Sequence, residues 1–160
     1  MGLGNMLINK IETLGFKLPT PSTPAANYLP YTTAGNLVFI SGQLPIAHGV
    51  IKYKGRIVQE SQLEEARKAA ELCALNILSQ LNVVCSGNIG IVQCIKLCGF
   101  VNSGNDFLSH SKVIDAASEL MCNVFGSKGK HARIAVGCSS LPFDSMVEID
   151  AIFAIAEEQR

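Results

Sequence analysis

The chain has 160 residues, of which 48% are apolar and only 16% are charged, and its formal net charge is zero. This length fits one domain with a core of its own, and the balanced charge gives no sign of the positive face that nucleic-acid-binding domains carry. So little charge leaves apolar surface to cover, which predicts that some of it is buried against other subunits.

The first fifteen residues lack the long apolar core of a secretory signal, and no run of about 18 apolar residues is present to span a membrane. We therefore expect a cytoplasmic protein without a membrane or nucleic-acid partner. Six cysteines in a reducing compartment are expected to remain free thiols that act as small core residues.

The first elements follow from apolar spacing and from prolines. A helix is predicted over residues 3–14, ending at Gly15, from the stripe Leu3, Leu7, Ile11 and Leu14. Four prolines between positions 19 and 30 exclude a helix there and predict an extended path. Strands are predicted over 36–44 and 49–58, the second with a turn near residues 54–55.

The rest of the chain alternates helices and strands. Ser61 followed by Glu64 is a capping-box pattern that predicts a helix to about Leu81. A strand over 89–101 is followed by a second long helix over 112–125, and strands over 132–140 and 146–155 close the chain. The order predicts a single-domain α+β fold in which a mixed sheet carries both long helices on one face. The other face would then need a partner.

Charges interrupt the last two strands. Alternation puts Glu148 and Asp150 on the face of the last strand that points away from the core. In the preceding strand Arg133 shares a face with the small residues Ala135 and Gly137. If these strands pair, the arginine and the acids would occupy one bare face. They would form either an internal salt bridge or a pocket in which Arg133 holds a ligand carboxylate and an acid handles a proton or a water.

Other polar side chains near these strands have simpler interpretations. His48 and His110 lie in polar, loop-like surroundings and are predicted to be solvated. His131 either ends a loop or takes part in function beside Arg133. Lys96 is expected to neutralise Glu148 or Asp150.

Three motifs resemble those of one family in order and spacing. They are "PAANYLPYTTAGNLVFISGQLP" at 24–45, "GNDF" at 104–107 and "HARIAVGCSSLPFDSMVEIDAIFAI" from position 131. They resemble the RidA-like proteins, the reactive-intermediate deaminases, also called the YjgF or endoribonuclease L-PSP family. The resemblance divides the chain into an N-terminal helical extension, 1–18, and a RidA-like domain, 19–160. It implies a chorismate-mutase-like homotrimer with sites between subunits and no metal or organic cofactor.

The resemblance also implies an activity and its residues. Active members hydrolyse imines and enamines of the 2-aminoacrylate type to 2-keto acids and ammonia. Arg133 would grip the substrate carboxylate, Glu148 would orient the attacking water, and Tyr31 would close the cleft from a neighbouring subunit. The remaining substrate-binding positions are the backbone of Ser41 and Gly42, and Ala135, where the best-known members have cysteine.

Three functions therefore remain open. The first is the imine deaminase, and the second is a non-catalytic protein that binds a small carboxylate metabolite in the same pocket. The third is an endoribonuclease, for which the sequence shows no basic groove and no histidine pair. Glu148 separates the first two, because binding an acid requires Arg133 but no carboxylate that orients water.

Overall fold

The structure is a computed structural model that describes residues 5–23 and 27–156. In chain order the main elements are α1 (Met6–Thr13), β1 (Tyr31–Ala34), β2 (Leu37–Gln43), β3 (Ile46–Ala47), β4 (Val50–Ile51), α2 (Leu63–Cys85), β5 (Val92–Asn102), α3 (His110–Phe125), β6 (Ala132–Cys138) and β7 (Val147–Ile155). Five strands form a mixed sheet in the order β1-β2-β7-β5-β6, in which only β5 and β6 are parallel. The predicted α+β class is confirmed.

The two long helices cover one face of the sheet, as the sequence predicted. The inward residues of β7 are almost fully buried, and they are Val147, Ile149, Ala151 and Phe153. From α2, the Cys73 thiol donates to the backbone carbonyl of Val147 at 3.6 Å. From α3, the Ile114 side chain occupies the space that a side chain on Gly99 would need. Glycine in β5 therefore allows α3 to lie directly on the sheet.

The start of α2 differs from the predicted capping box. A 3-10 turn over Glu60–Gln62 precedes the helix, so Ser61 lies inside a turn rather than at the cap. The Gln62 side-chain oxygen instead accepts hydrogen bonds from the backbone N–H groups of Val58 and Gln59, at 2.8 and 3.3 Å. The side chain of Gln62 thus closes the turn that precedes α2, and no side-chain cap by Ser61 is formed.

The predicted strand over 49–58 is wrong. Strands β3 and β4 form a short hairpin whose turn is at His48-Gly49, where both residues have positive φ (53° and 75°). Positive φ at both turn residues is typical of the type I′ turns that close two-residue hairpins. Farther on, only isolated bridges occur, between Lys54 and Ser145 and between Ile57 and Ser103. Strand β1, which directly follows the proline-rich segment, was not predicted.

The two closing strands do not pair with each other, which corrects the arrangement that the sequence suggested. Strand β5 lies between β6 and β7. Helix α3 makes a crossover connection from β5, so β6 returns parallel to β5 at the edge of the sheet. The chain then passes β5 to reach β7. Residues on β6 and β7 are therefore separated by the width of a strand.

Helix α1 packs into the core, and the proline-rich segment is hydrogen-bonded to α2. Leu7 and Ile11 of α1 are fully buried, and the helix stops before Gly15, at φ 83°. The backbone carbonyls of Pro19 and Ser22 accept hydrogen bonds from two side chains of α2, Ser79 (2.6 Å) and Gln80 (2.8 Å). Leu3 and Pro24, which were part of the predictions for this region, lie outside the described residues.

The cysteines and the helices agree with the sequence on two further points. All six cysteines are free, and three of them are buried. Burial raises the pKa of the Cys94 thiol to about 12, which suits a core side chain rather than a nucleophile. Across residues 5–23 and 27–156, we find no helix with the length and hydropathy that crossing a bilayer requires.

Candidate active site

The candidate site is built on an irregularity in β2. Ile40 is opposite Ala151 and Gln43 is opposite Ile149, so two residues of β2, Ser41 and Gly42, face a single residue of β7. Such a bulge bends the strand and redirects its side chains, and bulges are common beside active sites. The Ser41 hydroxyl donates to the backbone carbonyl of Leu29 at 2.7 Å, which ties the proline-rich segment to the bulge.

Glu148 of β7 points its carboxylate at this bulge. Its Oε1 atom occupies the space that a side chain at Gly42 would need, so only glycine leaves room for the carboxylate. Burial, and then the negative charge of Asp150, raise the pKa of Glu148 above its ordinary value of 4.5. No hydrogen bond or ion pair to this carboxylate occurs within the described residues. Glu148 is therefore a half-buried acid whose ionisation the fold opposes.

A surface cleft of about 580 Å³ opens beside the bulge. Its walls include Tyr31 of β1 together with Tyr28, Ser41, Gly42 and Asp150. Gly42 also lines a smaller cavity of about 150 Å³, together with Tyr28 and Phe143. The second cavity is below the usual size of drug-binding pockets, so it suits a ligand of only a few heavy atoms.

Arg133 lies elsewhere and has other partners. Its Nη1 atom is 2.7 Å from Oδ1 of Asp115 and donates to the Ser118 hydroxyl at 3.1 Å, while Nη2 donates to the Ser111 carbonyl at 3.3 Å. All three partners belong to α3, which covers the face opposite Glu148. The proposed internal salt bridge between Arg133 and Glu148 or Asp150 is therefore wrong.

The small residues beside Arg133 explain this placement. Ala135 and Gly137 share its face, and a side chain at position 137 would lie 2.6 Å from Nε2 of His110. Small side chains let the first turn of α3 approach β6, so this face of β6 turns toward the helix. Its other face leaves Ile134 45% exposed. The prediction that Arg133 and the acids share a bare face was wrong for this reason.

Comparisons with known proteins identify the family. Residues 9–156 match the family described as "YjgF/chorismate_mutase-like, putative endoribonuclease". The chain belongs to this YjgF family. Protein TCP17 of Trypanosoma cruzi is 38% identical over 143 residues, 89% of each chain. A crystal structure of a protein of unknown function from Agrobacterium tumefaciens is 43% identical, with TM-score 0.87, and the match covers 94% of this chain and 93% of that one.

Two other relatives support the same assignment. A RutC family protein from Pyrococcus horikoshii is 31% identical over 129 residues, 81% of this chain and 87% of its own. A protein from Shewanella oneidensis described as a "putative endoribonuclease" has a crystal structure that is similar to this one. Its sequence is 29% identical, its TM-score is 0.88, and the match covers 95% of this chain and all of the other. The RidA-like resemblance of the sequence is thus confirmed at the level of family and fold.

In this YjgF-family chain, the structure brings together four of the six predicted site residues. Tyr31, Ser41, Gly42 and Glu148 meet at the β2 bulge. Arg133 and Ala135 lie on β6, on the opposite face of the sheet and beyond β5. A single copy of the chain therefore does not place the predicted carboxylate-binding arginine beside the predicted acid.

Sequence reasoning missed the partner of Arg133. Asp115 and Ser118 are spaced at i and i+3, which aligns their side chains on one side of α3, whereas Ser111 contributes only its backbone carbonyl. This polar pair was visible in the sequence, but its target depended on knowing that β6 lies beside α3. His48 is exposed as predicted, whereas the prediction for His110 was wrong. His110 is not solvated, because its Nε2 lies 2.9 Å from the Ser103 hydroxyl and its ring packs edge-on against Phe107.

His131 stands at the outer end of the same network as Arg133. Its Nδ1 is 2.6 Å from the Gly129 carbonyl, which can only accept, so this nitrogen carries a proton. In the neutral ring, Nε2 then accepts from the Ser118 hydroxyl at 3.0 Å, and the oxygen of Ser118 in turn accepts from Arg133. The hydrogen bonds therefore run in one direction, from Arg133 to Gly129.

Proposed function

We propose that this protein hydrolyses small imines or enamines, such as 2-aminoacrylate, to 2-keto acids and ammonia. The observation that carries the proposal is the Glu148 carboxylate. It is half-buried, has no cationic partner among the described residues, and faces a glycine that leaves it space. A half-buried, uncompensated acid with a raised pKa beside a glycine that lines a cleft is the arrangement expected of a group that exchanges protons with a substrate or a water.

The chemistry requires little more than an ordered water and a proton carrier. A water oxygen attacks the imine carbon while the Glu148 carboxylate accepts one of its protons. That proton then passes to nitrogen, which gives a carbinolamine. As the carbon–nitrogen bond of the carbinolamine breaks, its hydroxyl proton is transferred through Glu148 to the nitrogen, so the oxygen becomes the carbonyl of the keto acid and the nitrogen leaves as ammonia. The raised pKa of Glu148 favours both steps, because its carboxylate is a stronger base and its acid form is more easily populated.

The complete site is proposed to lie between copies of the chain, in a homotrimer. One copy supplies Glu148, Gly42 and Tyr31, and the β6 edge of a neighbour supplies Arg133. Support comes from the sheet face away from the helices, which carries the partly exposed apolar side chains Ile134 and Ile152. A trimer is expected in sedimentation at micromolar concentration, and a monomer there would contradict a shared site.

A second candidate is a protein that binds a small carboxylate without transforming it. The observation that favours it is the separation of Arg133 from Glu148 within one copy, where they lie on opposite faces of the sheet, because binding a carboxylate requires no general base beside it. The endoribonuclease of the family description is less consistent with the site. Glu148 and Asp150 place two negative charges where an RNA phosphate would have to approach.

A coupled assay separates these functions. A serine or cysteine lyase generates 2-aminoacrylate, and pyruvate release is followed with and without this protein. Faster release with the wild type, lost in Glu148→Gln, supports the deaminase. Unchanged release together with calorimetric binding of 2-oxobutyrate supports the binding protein. Cleavage of single-stranded RNA that survives in Glu148→Gln would contradict both.

A further inference from the structure

Helix α3 presents a carboxylate to the arginine that the proposed function assigns to the ligand. Nη1 of Arg133 and Oδ1 of Asp115 are 2.7 Å apart, a distance typical of a strong charge-assisted hydrogen bond. The same nitrogen also donates to Ser118, and Nη2 donates to the Ser111 carbonyl. A substrate carboxylate that approached the Nη1 and Nη2 end of the guanidinium would therefore meet atoms that already have partners.

The Ser118 hydroxyl, which accepts a hydrogen bond from Arg133, is held in a fixed orientation. The acceptor oxygen of Ser118 is directed at Arg133, because its hydroxyl proton is committed to Nε2 of His131. Asp115 and Ser118 also line a surface cavity of about 510 Å³ with Glu119 and Cys122. A ligand that enters this cavity meets the Asp115 carboxylate, whose side chain is 42% exposed and contacts Arg133.

We infer that Asp115 is an internal competitor for the anion site of Arg133 and sets the selectivity of the protein for carboxylate ligands. This inference rests on the proposed function for the role of Arg133. A ligand carboxylate that binds Nη1 of the guanidinium displaces Asp115 from it, so this exchange yields little net affinity. Wild-type protein therefore binds small keto acids weakly and discriminates little between acids and their neutral analogues.

The test is calorimetric titration with 2-oxobutyrate. Asp115→Asn keeps the shape and an oxygen that accepts from Nη1, but it removes the charge. We expect the affinity for 2-oxobutyrate to rise by about tenfold or more, because a fully charge-assisted contact replaces an exchange between equivalent carboxylates. Glu65→Gln is the control, because it removes one negative charge from an exposed acid that does not line this cavity, and it should leave the affinity unchanged.

A double variant tests whether the gain in affinity depends on Arg133. The gain from Asp115→Asn should disappear in Arg133→Ala/Asp115→Asn, because the competition operates through the guanidinium. Unchanged or weaker binding in folded Asp115→Asn overturns the inference. Loss of the folded state in both Asp115→Asn and Asp115→Ala also overturns it, because the ion pair of Arg133 and Asp115 would then be required for folding. Imine turnover is recorded separately. No turnover with a tenfold gain in binding contradicts only the deaminase, and turnover without the gain contradicts only the competitor role.

Discussion

Glu148 and Arg133 are both charged, partly buried residues of the same sheet, yet only Arg133 has an oppositely charged partner among the described residues. Arg133 has three oxygen acceptors within 3.3 Å, including the carboxylate of Asp115. Glu148 has no ion-pair or hydrogen-bond partner among the described residues, and burial and the negative charge of Asp150 raise its pKa. Under the proposed function, the uncompensated charge of Glu148 is assigned to chemistry and the compensated charge of Arg133 to structure and selectivity.

The largest effect should come from removing the uncompensated charge. Glu148→Gln keeps the shape of the side chain at the β2 bulge but cannot accept a proton from water. We expect turnover of 2-aminoacrylate to fall by about 10²–10⁴-fold, the usual contribution of a general base. Single-turnover pyruvate release measures this. Asp150→Asn is the matched control on the same strand, and an equal loss there would assign the chemistry to the pair of acids.

The next effect comes from the glycine that makes room for the acid. In Gly42→Ala the new methyl group would occupy the position of Oε1 of Glu148, so the carboxylate must move. A misplacement of this size in a reacting group costs about 10²-fold in rate. Gly104→Ala is the control, because a side chain there would make only ordinary contacts, the nearest at 3.6 Å. Full activity in folded Gly42→Ala would show that the position of Glu148 is unimportant.

The two charged residues also differ in how well the sequence predicted them. The strict alternation of β7 was enough to place Glu148 away from the helices, because a half-buried strand has only two faces. Arg133 obeyed the same alternation, but its face was assigned from the assumption that β6 pairs with β7. Strand pairing is a non-local property, and the crossover through α3 moved β6 to the other side of β5.

The candidate site, too, was predicted only in the parts that do not depend on how the strands pair. The family resemblance predicted Tyr31, Ser41, Gly42 and Glu148, and the structure brings these together at one bulge. The bulge itself was not predicted, because an extra residue in β2 is recognised only from its register with β7. Asp115 was missed for a related reason. An exposed acid on an amphipathic helix is usually solvated, and nothing local indicates that an arginine of the next strand reaches it.

A smaller effect, on stability, is expected from the compensated charge. Arg133→Ala removes an ion pair whose side chains are 26% and 42% exposed, so water can solvate Asp115 once it is alone. We expect a loss of about 1 kcal/mol in the free energy of unfolding, which lowers Tm by roughly 2–4 °C for a chain of this size.

Calorimetric melting checks this expectation against a matched variant. Arg67→Ala breaks the other ion pair of α3, with Glu119, whose carboxylate is 61% exposed, and should cost less. A loss in Arg133→Ala that exceeds about 3 kcal/mol would indicate a buried, structural pair. That outcome would remove the distinction between the two charged residues.

The smallest expected effect is a pH-dependent difference in stability, and its sign follows from the raised pKa of Glu148. The folded chain holds the Glu148 proton more tightly than the unfolded chain, for which the pKa is the ordinary 4.5. As pH rises above this value the unfolded state loses the proton first, so the folded state is progressively destabilised until pH passes the folded pKa. Below about pH 4 both states are protonated and the penalty is absent.

Because glutamine resembles the protonated acid, Glu148→Gln should melt above the wild type at about pH 7–8, and the two should converge near pH 4. Asp150 supplies part of the pKa shift, so the gain from Glu148→Gln should be smaller in an Asp150→Asn background. Melting curves of the four proteins across this range test the argument. Glu148→Gln melting below the wild type at neutral pH would mean that the carboxylate makes a stabilising contact, and the contrast with Arg133 would be lost.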